Sequence, residues 1–334
     1  MNLHATTAFP DLEHTYLPWL RELAARDRIG KHRLVDDAQD AELILFLDAH
    51  QHPKDLGLTA IRRHPLARKN RGRVFIYNEL DQPWCALPGL YVSMPRRSFD
   101  RRRQRAFPYL KLPNPYVLAP GDGTRQPRWL YSFMGRRCHP VRDRVLALQD
   151  PRGTVEDTSA IFDALHLPSD HVERCKRRYA EVTADSKFVL CPRGAGPSSF
   201  RLYEAMAAGR APVILSDEWV PPNGPAWQEC SLRLPEAQAA QLPAILAREE
   251  HRAAKMGAEA RRAWEQWFAP EVLFHQIVEN CRELSQASSR RMAGRLRLPD
   301  RRYLYLWARE LKWKLRSHGS ALASLVPERI LRKP

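Results

Sequence analysis

The sequence predicts an α/β protein with two open-sheet halves, a helical C-terminal extension and a basic tail. The chain has 334 residues, which is long enough for two cores of about 150 residues each. Apolar runs of strand length alternate with helical patterns in both halves. Hydrophobic residues make up 44% of the chain, so each half can bury a core.

Three short apolar runs predict strands in the first half, at residues 41–50, 72–80 and 87–96. Between the first two runs, residues 59–70 (TAIRRHPLARKN) predict a short helix that Pro65 interrupts. The first two runs end in polar residues. Because ligands of open α/β sheets bind just beyond the carboxyl ends of the strands, we expect a ligand near these ends.

A proline- and glycine-rich stretch at residues 112–127 predicts the linker between the two halves. The predicted domains are therefore an N-terminal domain at 1–125, a second domain at 126–284 and a basic amphipathic tail at 285–334.

The second half repeats the strand and helix alternation and then becomes helical. Its first strand is followed by a glycine turn with two arginines and by an amphipathic helix. The predicted segments are the strand–turn–helix at 128–148, a helix or loop at 163–186, a strand–turn–helix–strand unit at 186–219, and two helices at 237–268 and 270–284.

Cysteine usage and the N-terminus predict a reducing, cytoplasmic setting. The six cysteines lie far apart and include no C-x-x-C pair, so we expect reduced core residues. No basic and apolar leader pattern opens the chain, and no apolar run of about 18 residues occurs, so we expect no spanning helix. The cysteines are Cys85, Cys138, Cys175, Cys191, Cys230 and Cys281.

The net charge of +16 predicts an anionic partner, such as phosphates, nucleic acid or an acidic membrane surface. Residues 290–334 hold thirteen Lys and Arg against three acidic residues, and residues 95–107 form a second basic cluster. Charge alone does not choose among these partners.

The stretch at 186–219, SKFVLCPRGAGPSSFRLYEAMAAGRAPVILSDEW, predicts a phosphate site. A buried strand ends at Pro192, and Gly194 and Gly196 allow turns and close approaches that side chains would block. Ser198 and Ser199 are suited to the start of a helix, where unpaired N–H groups and the helix dipole hold phosphate.

Arg201 and Glu204 fall on one face of that predicted helix, next to the glycine loop. A guanidinium matches a diphosphate bidentately, and a carboxylate one turn further on can accept hydrogen bonds from ribose hydroxyls. The alternative is a surface ion pair between the two side chains, worth a few tenths of a kcal/mol.

These residues resemble the signature of the exostosin glycosyltransferases, glycosyltransferase family 47: a strand, C-x-P-R-G, S-F-R, E-A and P-V-x-L-S. The resemblance is strong over about 128–245 and looser over 40–127. It implies a GT-B fold, in which two Rossmann-like domains face each other and the second domain holds a sugar nucleotide. The donor-binding residues that it implies are Arg136, Arg137, Arg193, Gly194, Ser198, Ser199, Arg201 and Glu204.

The resemblance further implies an inverting transfer of sugar from a UDP- or GDP-sugar, which needs a general base and a stabilised leaving group. Arginines and a helix N-terminus are expected to stabilise the diphosphate, so no metal or other cofactor is predicted to be required. The base candidates are acidic residues at strand ends of the first half. Glu79 is preferred, with Asp48 and Asp81 as alternatives and His50 less suited; each also fits an ordinary turn or cap.

Other residues beside the signature fit ordinary packing better than chemistry. Cys191 is expected to be a core residue, and Trp219 and Trp227 either line a nucleotide pocket or pack on the sheet.

Two functions of different classes remain open from the sequence. The first is a transferase that builds a surface polysaccharide or glycolipid, with a sugar nucleotide and a glycan or lipid-linked acceptor as partners. The second is a polyanion-binding protein on an inactive transferase-like scaffold, although no recognised nucleic-acid motif occurs and specific nucleic-acid binding is not expected.

The tail has two open interpretations. Tyr303, Leu304, Trp307, Leu311 and Leu315 recur at helical spacing among basic residues. The tail is either a helix that packs across the domains or one that holds the protein on the inner face of an anionic membrane.

Overall fold

The computed structural model describes residues 1–9, 13–47, 59–81, 83, 87–110, 114–118, 126–160 and 169–289. The first domain is built on a parallel sheet with the strand order β2-β1-β3-β4-β5-β6. Its strands are β1 (Asn2–Thr6), β2 (Arg33–Val35), β3 (Leu43–Phe46), β4 (Val74–Asn78), β5 (Gly89–Tyr91) and β6 (Gln104–Ala106).

Helices cover both faces of this sheet, as buried parallel strands require. One face packs on α1 (Glu13–Arg26), and the other packs on the short helices α2 (Thr59–Arg63) and α3 (Pro65–Lys69). The predicted proline break between the two short helices is confirmed. His64 caps α3, because its ring nitrogen accepts a hydrogen bond from the Leu66 N–H at 3.3 Å.

The second domain is a parallel sheet of order β11-β10-β9-β7-β8. Its strands are β7 (Trp129–Gly135), β8 (Gly153–Asp157), β9 (Ser186–Pro192), β10 (Ala211–Leu215) and β11 (Leu232–Leu234). Helix α4 (Pro115–Leu118) lies before this sheet, and the helices around it are α5 (Pro140–Leu146), α6 (Ser169–Ala184), α7 (Phe200–Ala207), α8 (Trp227–Cys230), α9 (Leu242–Glu249) and α10 (Ala253–Trp267). The two parallel sheets confirm the predicted pair of Rossmann-like domains of the GT-B class.

Helices α7 and α10 approach closely because two glycines face each other. Gly209 ends α7 with a positive φ of 66°, and a Cβ on Gly257 would lie 2.4 Å from the Gly209 carbonyl oxygen. This contact fixes α10 beneath the helix that follows the glycine loop.

The last described helix, α11 (Pro270–Ser289), returns to the first domain. Its buried residues Phe274, Ile277 and Cys281 lie in the same core as Leu20 of α1 and Tyr77 of β4. The chain segment that follows the second sheet therefore completes the core of the first domain. The domain limits predicted at 125 and 284 stay predictions, and α11 shows that core membership does not follow chain order.

The structure also describes parts of the predicted linker, the basic cluster and most of the cysteines. The linker prediction at 112–127 contains α4, which packs on α6 and α7. The basic cluster at 95–107 includes the edge strand β6, in which Gln104 is fully buried. Cys191, Cys230 and Cys281 are buried free thiols, as predicted, whereas Cys138 and Cys175 are partly exposed, so the expectation of core residues was wrong for these two. Cys85 and the tail from residue 290 lie outside the described residues. None of the described helices is both long and apolar enough to cross a bilayer.

Candidate functional site

The glycine loop at 193–199 lies at the carboxyl edge of the second sheet. Strands β7 and β9 are neighbours, with Tyr131 opposite Phe188, so the turns that follow them meet at one edge. The turn after β7 carries Arg136 and Arg137, and the turn after β9 carries the loop. This edge is where an open α/β sheet binds its ligand.

Helix α7 begins at the loop, as the sequence predicts, and Ser199 is its N-cap with extended backbone. The Ser199 side chain makes no capping hydrogen bond. The hydroxyls of Ser198 and Ser199 are both buried without a hydrogen-bond partner. Buried hydroxyls without partners are costly, so two such groups at a helix N-terminus point to a ligand with hydrogen-bond acceptors.

Arg201 extends from α7 under the turn that follows β7. Its Nε donates to the Met134 carbonyl at 2.7 Å, and its guanidinium lies 5.1 Å from the centre of the Phe133 ring. A Cβ on Gly135 would lie 2.5 Å from an Arg201 nitrogen, so a glycine is needed where the guanidinium passes. Arg201 and Glu204 form no ion pair with each other, which excludes the surface-pair alternative for these two described side chains.

Glu204 points toward the linker side of the loop. Its Oε1 accepts a hydrogen bond from the Asn114 N–H at 3.2 Å. The half-buried Tyr179 of α6 lies beside it, and burial of its hydroxyl followed by the Glu204 charge raises the pKa of Tyr179 well above its ordinary range. The ribose-binding role of Glu204 stays a prediction.

Arg142 is the residue that sequence analysis missed. It lies in the first turn of α5 with only 6% of its surface exposed, and it donates from Nε to the Arg193 carbonyl at 2.9 Å. Its other nitrogens donate to the carbonyls of Arg136 at 3.2 Å and Pro192 at 3.3 Å. Arg142 therefore holds together the two turns at the sheet edge. A clue in the sequence is an arginine at the third position of a helix that begins His-Pro directly after the arginine turn.

The positive charges of Arg142 and Arg201 are not neutralised by the described part of the chain. No described carboxylate forms an ion pair with either guanidinium. Burial, and then the like charge of Arg201, lower the pKa of Arg142 to about 10. A buried positive charge beside a second, half-buried one is unfavourable until an anion binds between or beside them.

The other arginines predicted for the donor are placed differently. Arg136 is exposed at the turn, and Arg137 pairs with Asp157 at 2.7 Å and with Asp143 at 3.2 Å. Arg193 approaches Glu236 at 3.8 Å. The Gly194 position faces Arg142, since a Cβ there would lie 3.2 Å from its Nη2. Arg137 and Arg193 would have to exchange carboxylates for phosphate to act as predicted.

The first domain contributes Asp81 to the same loop. A Cβ on Gly196 would lie 2.7 Å from Asp81 Oδ1 and 2.8 Å from its Cα, so the two domains touch where Gly196 lacks a side chain. The Asp81 side chain is exposed. Asp48 and His50, the other predicted candidates beyond β3, lie outside the described residues.

Glu79 is held by three donors. Its carboxylate accepts hydrogen bonds from the Tyr77 hydroxyl, from the Tyr16 hydroxyl at 3.2 Å and from the Leu110 N–H at 3.0 Å. Burial first, and then the Glu79 charge, raise the pKa of both tyrosines, so both hydroxyls keep their protons and remain donors. The interactions of Glu79 fix the segment before residue 110 to β4.

Tyr109 bridges the two domains from that segment. Its ring stacks on Phe200 with the ring centres 3.6 Å apart and meets Tyr203 edge-on at 6.3 Å. Burial raises the pKa of Tyr109 to about 12. No sequence pattern singled out Tyr109, because its role depends on the docking of two domains.

Two further side chains near the loop serve packing. Cys191 is buried, which confirms it as a core residue, and burial raises the pKa of its thiol to about 12. Trp219 is buried and meets Trp227 edge-on at 4.9 Å, while the Trp227 indole donates to the Pro222 carbonyl at 2.8 Å. The packing alternative therefore holds for both tryptophans.

With the site defined, comparison with known proteins shows the family. The model of the exostosin GT47 domain matches residues 66–248, more than half of the chain. This range includes both Asp81 of the first domain and the glycine loop of the second. The chain belongs to the exostosin GT47 family. The resemblance carried by the signature at 186–219 is thereby confirmed.

Curated members of the exostosin GT47 family match over part of their length. An exostosin-1 homolog from Caenorhabditis elegans is 32% identical over 151 residues, which are 41% of this chain and 40% of that protein. A "probable glucuronosyltransferase" from Oryza sativa subsp. japonica is 30% identical over 145 residues, 40% of this chain and 31% of that protein. The chain thus spans less than half the length of these relatives.

Solved structures of similar arrangement include a glycosyltransferase from Rickettsia africae, with 11% identity, a TM-score of 0.41 and coverage of 85% of this chain and 98% of that one. Anabaena HepE, solved with UDP, has 10% identity and a TM-score of 0.36, and the match covers 87% of this chain and 99% of that one. At these scores the fold assignment rests on the two parallel sheets of this exostosin-family chain itself.

Proposed function

We propose that this exostosin-family chain is an inverting glycosyltransferase that moves a sugar from a UDP- or GDP-sugar to a glycan or glycolipid acceptor. The observation that carries the proposal is the convergence of Arg142 and Arg201 on the turn after β7, next to the glycine loop. Neither arginine pairs with a carboxylate of the described residues, and the hydroxyls of Ser198 and Ser199 nearby are buried without a hydrogen bond. Membership of the family and the names of its curated relatives support the same class of reaction.

The leaving group determines what the second domain must do. The acceptor oxygen forms a bond to the anomeric carbon while the bond from that carbon to the diphosphate oxygen breaks, and the electron pair of the broken bond passes to the diphosphate. Arg142, Arg201 and the N–H groups at the start of α7 offer positive charge to that developing anion. These groups supply the charge that a metal would otherwise provide, so we expect no metal in the transfer step.

The acceptor hydroxyl must lose a proton in the same displacement, and Asp81 is the better placed base of the two described candidates. Its carboxylate is exposed and lies against Gly196, where the first domain meets the donor loop. The carboxylate of Glu79 already accepts three hydrogen bonds, which suits a residue that positions the segment carrying Tyr109. We therefore assign the base to Asp81 and a positioning role to Glu79.

The charge of the first domain bears on the acceptor. The basic cluster at 95–107 belongs to the first domain, and Arg96 and Arg97 reach the second domain through backbone hydrogen bonds to Glu218 at 2.9 and 3.2 Å. Positive charge near the cleft favours an anionic acceptor chain or a lipid-linked phosphate. We propose an acceptor for surface polysaccharide synthesis, met at the cytoplasmic face of a membrane.

The net charge of +16 is the observation that favours the second candidate, a polyanion-binding protein without activity. Polyanion binding uses exposed cations on a continuous surface, whereas Arg142 is buried. Nucleic-acid affinity that exceeds nucleotide affinity at physiological salt, together with no sugar transfer, would favour that candidate over the transferase.

The test is calorimetric titration of the full chain with UDP, GDP and dTDP, followed by the matching sugar nucleotides. We expect one nucleoside diphosphate to bind at one site. Replacement of Arg201 by Met should weaken that binding, whereas replacement of Arg144 by Met, on an exposed position of α5, should leave it unchanged. Failure of all three nucleotides to bind the folded parent chain would overturn the proposal.

A transfer assay then separates the roles of the two acidic residues. Asp81→Asn should lower kcat by about 10²- to 10⁴-fold, as loss of a general base does, while nucleotide binding remains. Initial rates in excess EDTA should match those without it. An Asp81→Asn protein with parental kcat would remove Asp81 from the chemistry.

A further inference from the structure

A cluster of two histidines and one glutamate lies where the turn before β2 packs on α11, away from the glycine loop. His32 comes from the turn, and His275 and Glu279 come from the helix. One possible ligand atom from each lies within 4.8 Å of the others. The two imidazole rings stack with their centres 4.9 Å apart and their planes 21° apart.

The helix spacing explains why two of the three groups converge. His275 and Glu279 are four residues apart in α11, so their side chains lie on one face, one turn apart. The turn at 27–32 is held against that face, because the Arg28 N–H donates to the Glu271 carbonyl at 2.9 Å. The third group, His32, therefore reaches the cluster from a separate part of the chain.

Two ring nitrogens of the cluster, His32 Nε2 and His275 Nδ1, are buried without a hydrogen bond, whereas His32 Nδ1 lies 3.4 Å from the N-terminal amine. The His32 side chain is only 4% exposed, and its Nε2 lies 3.2 Å from Glu279 Oε1 without forming a hydrogen bond to it. His275 Nδ1 is also buried without a partner, and so is Oδ1 of the nearby Asp27. Buried polar atoms are costly to leave without a hydrogen bond.

The chemical types of these atoms favour a zinc ion. Imidazole nitrogen and carboxylate oxygen are ordinary zinc ligands, and two histidines with one glutamate are an established zinc ligand set. His32 Nε2 and His275 Nδ1 are the two unpaired nitrogens, and a cation between them would accept a lone pair from each. The Asp27 carboxylate adds negative charge near His32.

We propose that His32, His275 and Glu279 bind a zinc ion that fastens α11 to the first domain. The site lies on the helix by which the chain returns from the second domain, so the ion would stiffen the crossover between the domains. It would take no part in sugar transfer, and the proposal does not rest on the proposed transferase reaction.

The test uses the full chain after treatment with a chelator, with zinc chloride as the probe. We expect titration calorimetry to show one zinc site and thermal unfolding to shift to a higher temperature with one equivalent of zinc. Cobalt in place of zinc should give visible ligand-field bands without a thiolate charge-transfer band, because no cysteine belongs to the cluster. This spectrum separates the site from binding to the free thiols.

The variants His275→Asn and Glu279→Gln should each weaken zinc binding by at least about tenfold, since each removes a ligand. His251→Asn, at an exposed histidine outside the cluster, is the matched control and should bind as the parent does. Melting of the zinc-free variants checks that they fold. Absence of zinc binding by the parent, or equal binding by the parent and both folded variants, would overturn the proposal.

Discussion

Replacement of Arg142 by Met tests whether the positive charge at the sheet edge is there for a ligand. The substitution removes a buried guanidinium and keeps an unbranched, apolar and shorter side chain. It breaks hydrogen bonds to the carbonyls of Arg193, Arg136 and Pro192, which lie 2.9, 3.2 and 3.3 Å away. An ordinary structural arginine would lose stability by this change.

Two opposing effects set the stability of the ligand-free variant. Burial and the Arg201 charge lower the pKa of Arg142 to about 10, so holding this charge at neutral pH costs about 3 kcal/mol. Three lost hydrogen bonds at about 1 kcal/mol each cost a similar amount. We therefore expect the free energy of unfolding without ligand to change by no more than about 1–2 kcal/mol.

Binding of a diphosphate should respond far more strongly. A charge-assisted hydrogen bond contributes about 1.5–3 kcal/mol, which corresponds to roughly 10- to 150-fold in Kd. We would measure the Kd of the preferred nucleoside diphosphate by calorimetry and the free energy of unfolding by urea titration. Arg144→Met on the same helix serves as the control. A folded Arg142→Met protein that binds the nucleotide within twofold of the parent would refute the reasoning.

Four further predictions concern the rest of the molecule. Glu79→Gln should lower the free energy of unfolding by about 1–3 kcal/mol, because the glutamine amide cannot accept hydrogen bonds from all three donors. Urea unfolding measures the change, with Glu22→Gln on the exposed face of α1 as the control. Gly196→Ala should lower the free energy of unfolding by about 1–3 kcal/mol, because the new Cβ would meet Asp81, whereas Gly72→Ala, with open space around it, should lower it by less. Equal thermal stability of the two variants would contradict the contact. Burial and then the Arg193 charge lower the pKa of His139, whose neutral ring caps α5. The contribution of this ring to stability is therefore complete above pH 6.5 and is lost as the pH falls through the lowered pKa. His139→Ser should remove that part of the pH dependence of urea unfolding. In vesicle flotation, the full chain should bind anionic but not neutral vesicles, and a chain ending at Leu298 should bind neither. Equal binding by the two chains would exclude the tail as the membrane contact.

Local pattern was sufficient for the secondary structure around the donor loop. The apolar run before Pro192, the glycines after it and the serines before Phe200 predict the strand, loop and helix that the structure shows, because each depends on neighbours along the chain. The family was also readable, since its signature is contiguous. The strands β1, β2, β6, β8 and β11 were not predicted, because their sequences, NLHAT, RLV, QRA, GTVED and LRL, contain no apolar run.

Tertiary structure alone decided which polar groups are neutralised and which are left for a ligand. Arg137 and Arg142 look alike in the sequence, yet Arg137 lies among carboxylates at the surface and Arg142 is buried beside Arg201. Glu79 and Asp81 are likewise two acidic residues past one strand, and only the docking of Leu110 and Gly196 distinguishes them. His32 and His275 are more than 240 residues apart and meet because α11 folds back onto the first domain. Burial and ion pairing depend on contacts between residues distant in sequence, so the local sequence pattern does not predict them. Strand, turn and helix propensities depend on neighbouring residues, so the sequence predicts them directly.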